Sequence, residues 1–394
     1  MNNIIIGIHN STISDFSGGG MYYLNSLIYG LNKYANFDIV VYYSDKKYEK
    51  YIFKSKKIKW VQIKRHNPFI HKIINVIQLI LKKKIVNYKW NEKLYGKKPD
   101  LIISQESLFG FYMDIKFIGF IGDVMYKYYP SLEEYSYKKR IVRNLSTETI
   151  VRKSSKIVVD SKFASNDITK FFKCKKSKLE IIPLCAPPHF QDLKVDINQI
   201  YKNSFLDKYS LFKKYLFYPA QFWEHKNHIN LLLSIKKVID KGLKISLVLV
   251  GSKNWPFFKK IDEKIKSLAL SEYVKTLGYL DDNEIINFYQ YSRALIYPSY
   301  GDYTGIPIIE AMMLRKPIVA SNTFAIPEQV GDAGIFFDPQ NTDMISEKII
   351  EITSDDNLYK ELSINAAKRS KLFTIENFSI SWKNIINNSY YEKI

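Results

Sequence analysis

The chain has 394 residues, 46% of them hydrophobic and 15% aromatic, which is enough for two or three packed cores and excludes a disordered chain. Lys plus Arg outnumber Asp plus Glu by 59 to 39, a formal charge of +20 that suits nucleic acid, an anionic membrane surface or an anionic substrate, or that reflects only a Lys-, Asn-, Ile- and Tyr-rich composition. Two cysteines, Cys174 and Cys185, argue against a disulfide scaffold, and the lack of a clustered Cys/His pattern argues against a structural metal.

Short β-type runs alternate with helical patterns. In the first half strands are predicted at 4–8, 38–43, 58–63, 100–105, 115–121, 156–160 and 179–184, with helices at 21–33, 132–153 and 163–172. Continuous Val/Ile/Leu runs are what parallel strands buried on both faces require. The second half restarts the pattern, with strands at 215–219, 245–251, 274–277, 294–297, 317–320 and 334–337. Helices are predicted at 227–241, 257–270, 282–291 and 306–314, then at 344–353, 358–370 and 375–390. This order predicts an α/β chain of two Rossmann-like, doubly wound domains. Three prolines within 183–188, followed by a polar stretch, place a linker at 186–209. The expected domains are therefore 1–185 and 210–374, with a helix at 375–394 able to pack back on the first.

No basic region precedes the apolar run 4–8, and no apolar stretch reaches the ~18 residues of a spanning helix. The expected location is cytoplasmic, with peripheral contact at the inner face of the cytoplasmic membrane. That contact is assigned to 69–90, where Ile70, Ile73, Ile74, Ile77, Ile80 and Leu81 recur at helical spacing beside Lys72, Lys82, Lys83, Lys84 and Trp90. A core helix ending in a solvated Lys cluster fits the same pattern.

Three segments carry candidate chemistry. Ser17-Gly18-Gly19-Gly20 follows the first strand and precedes a helix, so backbone N–H groups near Gly19 and Gly20 are free for a phosphate or a sugar. A flexible turn is the plainer explanation, and the absence of GxGxxG disfavours a dinucleotide. The second segment, Tyr218 to His228, lies past a strand, where ligands of open α/β sheets bind. Within it Lys226 can neutralise a diphosphate and Asn227 can cap the next helix. The third runs from Tyr297 to Met312, with backbone N–H groups of Thr304, Gly305 and Ile306 at a helix start and Glu310 inside the helix. A carboxylate there can accept from both hydroxyls of a ribose, although a helix carboxylate is more often simply solvated.

The string Pro219-Ala-Gln-Phe-Trp-Glu-His-Lys-Asn-His228 resembles the donor-diphosphate loop of the GT-B glycosyltransferases of retaining family 4, the glycosyltransferase group 1 family. Its particular form resembles bacterial mannosyl- and rhamnosyltransferase-like members. The resemblance implies a fold of two domains facing a cleft, a phosphate role for Lys226, and Gln221 where an arginine is usual. Asp302 and Glu310 resemble the family's E-x7-E pair, which implies a sugar contact for Asp302 and ribose binding for Glu310. Pro317 to Asn322 and Pro327 to Pro339 continue the match, with Glu328 reaching toward the nucleotide. In the first half, Phe120 to Pro130 resembles the family's "HD…YP" segment, so Asp123 is placed on the sugar side, Gly122 replaces a histidine, and His9 stands in for it.

The implied activity moves a hexose from a nucleotide sugar, GDP-mannose preferred, to a glycan or lipid-linked acceptor in surface polysaccharide assembly. Retention of configuration, no metal and no further cofactor follow from the same resemblance. Lys226, Glu310 and Asp302 form the catalytic set. Gly19, Gly20, Gln221, Asn227, Thr304, Gly305 and Ile306 join Lys226 and Glu310 on the donor. A non-catalytic sugar-nucleotide-binding subunit and a nucleotide-sugar epimerase remain open. A nucleic-acid-binding protein also remains, without an RRM, helix-turn-helix or zinc pattern to support it, and no nucleic-acid partner is expected.

Overall fold

The computed structural model describes residues 4–10, 19–43, 55–63, 77–78, 80–81, 89–105, 113–132, 135–190, 193 and 199–392. The chain divides into two compact units, Met1–Ser131 with Tyr135–Cys185 and Ile375–Ile394, and Leu132–Glu134 with Ala186–Thr374.

Among the described residues the first unit contains a seven-stranded parallel sheet in the order β3-β2-β1-β4-β5-β6-β7. Its strands are β1 (Ile5–Asn10), β2 (Asp38–Tyr43), β3 (Ile58–Gln62), β4 (Leu101–Gln105), β5 (Phe117–Phe120), β6 (Lys156–Val159) and β7 (Leu179–Ile181). Ile6, Ile8, Val41, Ile102, Ile118 and Val158 are buried, so the central strands are covered on both faces as their unbroken apolar runs require. Helices Gly19–Tyr34, Tyr137–Lys153 and Lys162–Phe172 belong to this unit.

The C-terminal helix Ile375–Tyr391 completes the first unit. Its Trp382 is fully buried, and Tyr23 of helix Gly19–Tyr34 stacks on Phe120 at 4.0 Å while meeting Phe378 edge-on at 5.5 Å. Gly30 lets the two helices approach, because a Cβ there would lie 2.0 Å from Ser379 Oγ. This burial of aromatic surface explains why the last 20 residues join a sheet from which they are remote in sequence.

The second unit holds a six-stranded parallel sheet in the order β10-β9-β8-β11-β12-β13. These are β8 (Tyr215–Pro219), β9 (Ser246–Val250), β10 (Val274–Leu277), β11 (Ala294–Tyr297), β12 (Ile318–Ser321) and β13 (Gly334–Phe337). Every residue of β9, β11 and β12 is buried. In both units the strand order reverses beside the first strand, which leaves a crevice beyond the carboxyl ends of two neighbours, β1 and β4 in one and β8 and β11 in the other.

One expectation is corrected here. Residues 186–209 are not a simple linker, since helix Gln199–Lys208 lies within them and belongs to the second unit. Phe205 packs 4.7 Å from Phe288 and 5.2 Å from Tyr291, Tyr209 packs 4.7 Å from Phe288, and Leu206 is buried. Phe205, Leu206 and Tyr209 share one helix face, but the polar residues around them hide that stripe in the sequence. The five-residue helix Ile326–Val330 was also not anticipated, and it begins with Pro327 in its first turn.

Candidate functional site

The sequence-predicted site residues of the second half gather at the carboxyl ends of β8 and β11. Strand β8 ends at Pro219, and the loop that follows closes in a single 3-10 turn, Glu224–Lys226. Asn227 then takes the left-handed conformation, with φ 58°, and starts helix His228–Asp240. Strand β11 ends at Tyr297, and residues 298–305 lead into helix Ile306–Met313. The two loops are tied by backbone, because Tyr300 N–H donates to the His225 carbonyl at 2.9 Å.

Lys226 and Asp302 meet at this junction. The ammonium lies 2.8 Å from Asp302 Oδ1 and 2.9 Å from Oδ2, with side-chain exposures of only 11% and 13%. The Tyr297 hydroxyl donates to Asp302 Oδ2 at 3.0 Å and accepts from Lys226 Nζ at 3.4 Å. Burial alone would raise the Asp302 pKa. The charges of Lys226 and His225, with hydrogen bonds from Lys226 and Ser299, outweigh it and hold the carboxyl below its ordinary value. Asp302 is therefore an anion, and removing either partner would strand a buried charge.

Glu310 sits in the second turn of helix Ile306–Met313 and is buried rather than solvated. Its Oε2 accepts from the Tyr289 hydroxyl at 2.7 Å. Burial pushes its pKa up to about 7, with Asp282 adding to the shift and the Tyr289 hydrogen bond opposing it. A buried carboxyl with one oxygen already hydrogen-bonded can still accept through the other, as a diol ligand requires.

Three expected donor contacts are spoken for within the chain. Asn227 stands at the N-cap position, but its side chain makes no cap hydrogen bond. Instead its amide donates to the carbonyls of Pro298 at 3.0 Å and Pro339 at 2.7 Å, because the left-handed backbone turns it inward. Gln221 Oε1 accepts from Ser252 N–H at 3.2 Å and Trp255 Nε1 at 3.0 Å, and its Nε2 donates to Tyr279 at 3.2 Å. It thus braces the loop after β9. The Gly305 N–H, expected to face an anion, donates to Gln329 Oε1 at 2.8 Å, while Gln329 Nε2 returns a bond to the Gly305 carbonyl at 3.0 Å. Ile306 is buried and Thr304 half-buried beside it, with the Thr304 hydroxyl donating to the Tyr303 carbonyl. Glu328 offers its backbone carbonyl to Arg369.

His228, the last residue of the distinctive string, is a buried imidazole between Tyr218 at 5.0 Å and Phe222 at 5.2 Å. Among the described residues neither ring nitrogen has a hydrogen-bond partner. Burial, followed by the charges of Lys226 and His225, pushes its pKa down to about 3, so it is neutral and structural.

In the first unit, His9 lies inside β1 rather than after it and is buried, at the register position between Tyr42 and Ser104. Asp123 accepts from Met125 N–H at 3.0 Å and pairs with Arg143 at 3.0 Å. It therefore shapes the turn that precedes Tyr128. Gly19 and Gly20 begin the helix Gly19–Tyr34, whereas Ser17 and Gly18 lie outside the described residues. Most of 69–90 also lies outside them. Ile77, Ile80 and Leu81 are exposed, and Trp90 is not on a surface helix: it packs edge-on against Tyr42 at 5.8 Å and donates to the Gly96 carbonyl. Among the described residues no helix is long and apolar enough to cross a membrane.

Sequence reasoning missed Tyr297, Tyr289 and Gln329. Only their hydroxyl partners reveal the place of the two tyrosines. A tyrosine ending a strand just before a Gly-Asp loop was the available signal for Tyr297; Gln329 carried none.

Comparison with known proteins bears on the same unit. Residues 206–369 match the family described as Glycosyl transferases group 1. The O-antigen chain mannosyltransferase B of Escherichia coli is 30% identical over 174 residues, which cover 44% of this chain and 45% of that protein. The matched stretch thus spans less than half of that relative. A glycosyltransferase from Rickettsia africae superposes with a TM-score of 0.74 at 18% identity, covering 100% of both chains. Anabaena Alr3699/HepE in complex with UDP-glucose gives 0.74 at 14% identity, covering 98% of this chain and 100% of that one. At such identities the structural likeness speaks for the fold alone.

Proposed function

We propose, from the premise that this chain has the GT-B fold and that its residues 206–369 belong to the group 1 glycosyl transferases, that it is a glycosyltransferase of polysaccharide biosynthesis using a nucleotide-sugar donor. The observation that carries this reading is the junction of β8 and β11, where Lys226, Asp302 and Tyr297 meet and Glu310 opens the next helix turn. A cation at the crevice suits a diphosphate, and a buried carboxylate suits a ribose diol. A mannosyltransferase among the relatives and UDP-glucose in a structural neighbour support a hexose donor.

The finer reading is a hexosyl transfer, with mannose from GDP-mannose as the preferred donor and a glycan or lipid-linked acceptor. Lys226 stabilises the charge that develops on the departing diphosphate, worth about 3–4 kcal/mol for a principal electrostatic contact. Glu310 orients the nucleoside. Asp302 faces the sugar once the donor is in place. Retention of configuration without a metal, and peripheral attachment to the inner face of the cytoplasmic membrane, complete the proposal.

Thermal-shift screening against a panel of nucleotide sugars, followed by a transfer assay with the donor that stabilises most, tests it. Stabilisation by GDP-mannose together with sugar transfer is the expected result. Binding without transfer to any glycan or lipid-linked acceptor assigns a sugar-nucleotide-binding subunit instead, and no binding at all rejects the reading.

A further inference from the structure

We propose that the Asp302 carboxylate occupies the place on Lys226 that a donor diphosphate must take, and that the Tyr297 phenol is the positioning residue that holds it there. This rests on the nucleotide-sugar reading and adds a residue and an exchange step to it. A lysine ammonium has three protons to donate. Here all three are used, toward Asp302 Oδ1 at 2.8 Å, Asp302 Oδ2 at 2.9 Å and the Tyr297 oxygen at 3.4 Å. The phenol is saturated in the same way, since its one proton goes to Asp302 Oδ2 at 3.0 Å.

The pair is neutral as a unit and largely withdrawn from water. An incoming diphosphate therefore does not find a bare cation. It finds a cation chelated by a carboxylate, and like charge opposes its approach at close range. Binding must then proceed by exchange, in which the carboxylate gives up at least one of its two contacts with the ammonium. The phenol decides how readily that happens. Tyr297 is buried at the end of β11 and rests edge-on against Tyr218 at 5.7 Å, so its hydroxyl is a fixed point on which the carboxylate is pinned. The same contact would hold Asp302 beside the crevice after exchange.

The experiment is calorimetric titration of the full chain with UDP, GDP, ADP, CDP and dTDP, and with the matching nucleosides as uncharged controls. For the diphosphate that binds the native chain best, Asp302→Asn is expected to bind ~10-fold tighter, the change that about 1.4 kcal/mol produces. Tyr297→Phe is expected to bind roughly 3-fold tighter by the same arithmetic. Nucleoside affinity should not move in either variant, and a merely structural tyrosine would not raise affinity for a diphosphate alone. Asp302→Ala serves as the second variant where the asparagine form fails to fold. Equal or weaker diphosphate binding by the folded variants overturns the inference while leaving the donor reading intact. Failure of the native chain and every variant to bind any diphosphate overturns both.

Discussion

The two units fold on the same plan and use it differently. In the second, polar side chains reach across the sheet's carboxyl edge to partners far away in sequence. Lys226 meets Asp302 from 76 positions away, Asn227 spans 112 positions to Pro339, and Gln329 grips both ends of Gly305. In the first, the described polar contacts of the predicted site residues are nearby. Asp123 accepts from a backbone group two positions on and pairs with an arginine 20 positions on. A site assembled from distant loops is fixed by the fold before any ligand arrives, and changing one member leaves buried partners unsatisfied. A local turn can lose a contact and be restored by its own backbone.

That contrast is broken or sharpened most directly at Lys226. Lys226→Ala should lower turnover at least ~100-fold, the scale of losing a principal charge-stabilising group. Steady-state transfer assays check this, and a folded variant of native turnover would remove the second unit's claim to the chemistry. Next in size is Gln329→Ala, which takes from the buried Gly305 N–H its acceptor, while the Gly305 carbonyl keeps the Ile308 N–H at 3.0 Å. A loss of about 1–3 kcal/mol in unfolding free energy is expected, read by urea denaturation.

Glu310 offers a pH test. Its pKa is pushed up from 4.5 to about 7, so between those values the folded chain holds a proton that the unfolded chain has released. Stability contributed by that group is present at the acid end and falls as pH rises through the window. In Glu310→Gln the fall should vanish, and thermal midpoints measured across that window would show it as a flatter profile than the native one. The smallest effect is expected in the first unit. Arg143→Ala removes an ion pair whose side chains are 27% and 34% exposed, so water already screens it. A cost within about 1 kcal/mol is expected. A loss rivalling that of Gln329→Ala would show that the first unit is also built around a critical polar pair.

Much of the fold was legible from residue order. Strands Asp38–Tyr43, Tyr215–Pro219, Val274–Leu277, Ala294–Tyr297 and Gly334–Phe337 fall where the apolar runs place them. Helix Gln199–Lys208 was not legible, because its burial depends on Phe288 and Tyr291, aromatic partners that no local period announces. The site followed the same division. Lys226, Asp302 and Glu310 stood out by type and by their place after strands. The occupation of Gly305 by Gln329, the inward turn of Asn227 and the bracing role of Gln221 did not.

Sequence alone determined which segments become strands and helices, and which charged residues lie at the ends of strands, because burial on both faces and loop position leave a local signature. Tertiary structure alone decided who pairs with whom. Lys226 as a free cation and Lys226 chelated by Asp302 are the same residues in the same order, and they differ only in a contact between loops 76 positions apart. Hydrogen bonding depends on ångström distances between atoms that the chain brings together only when the second sheet's carboxyl edge is complete, so no pattern along one segment encodes it.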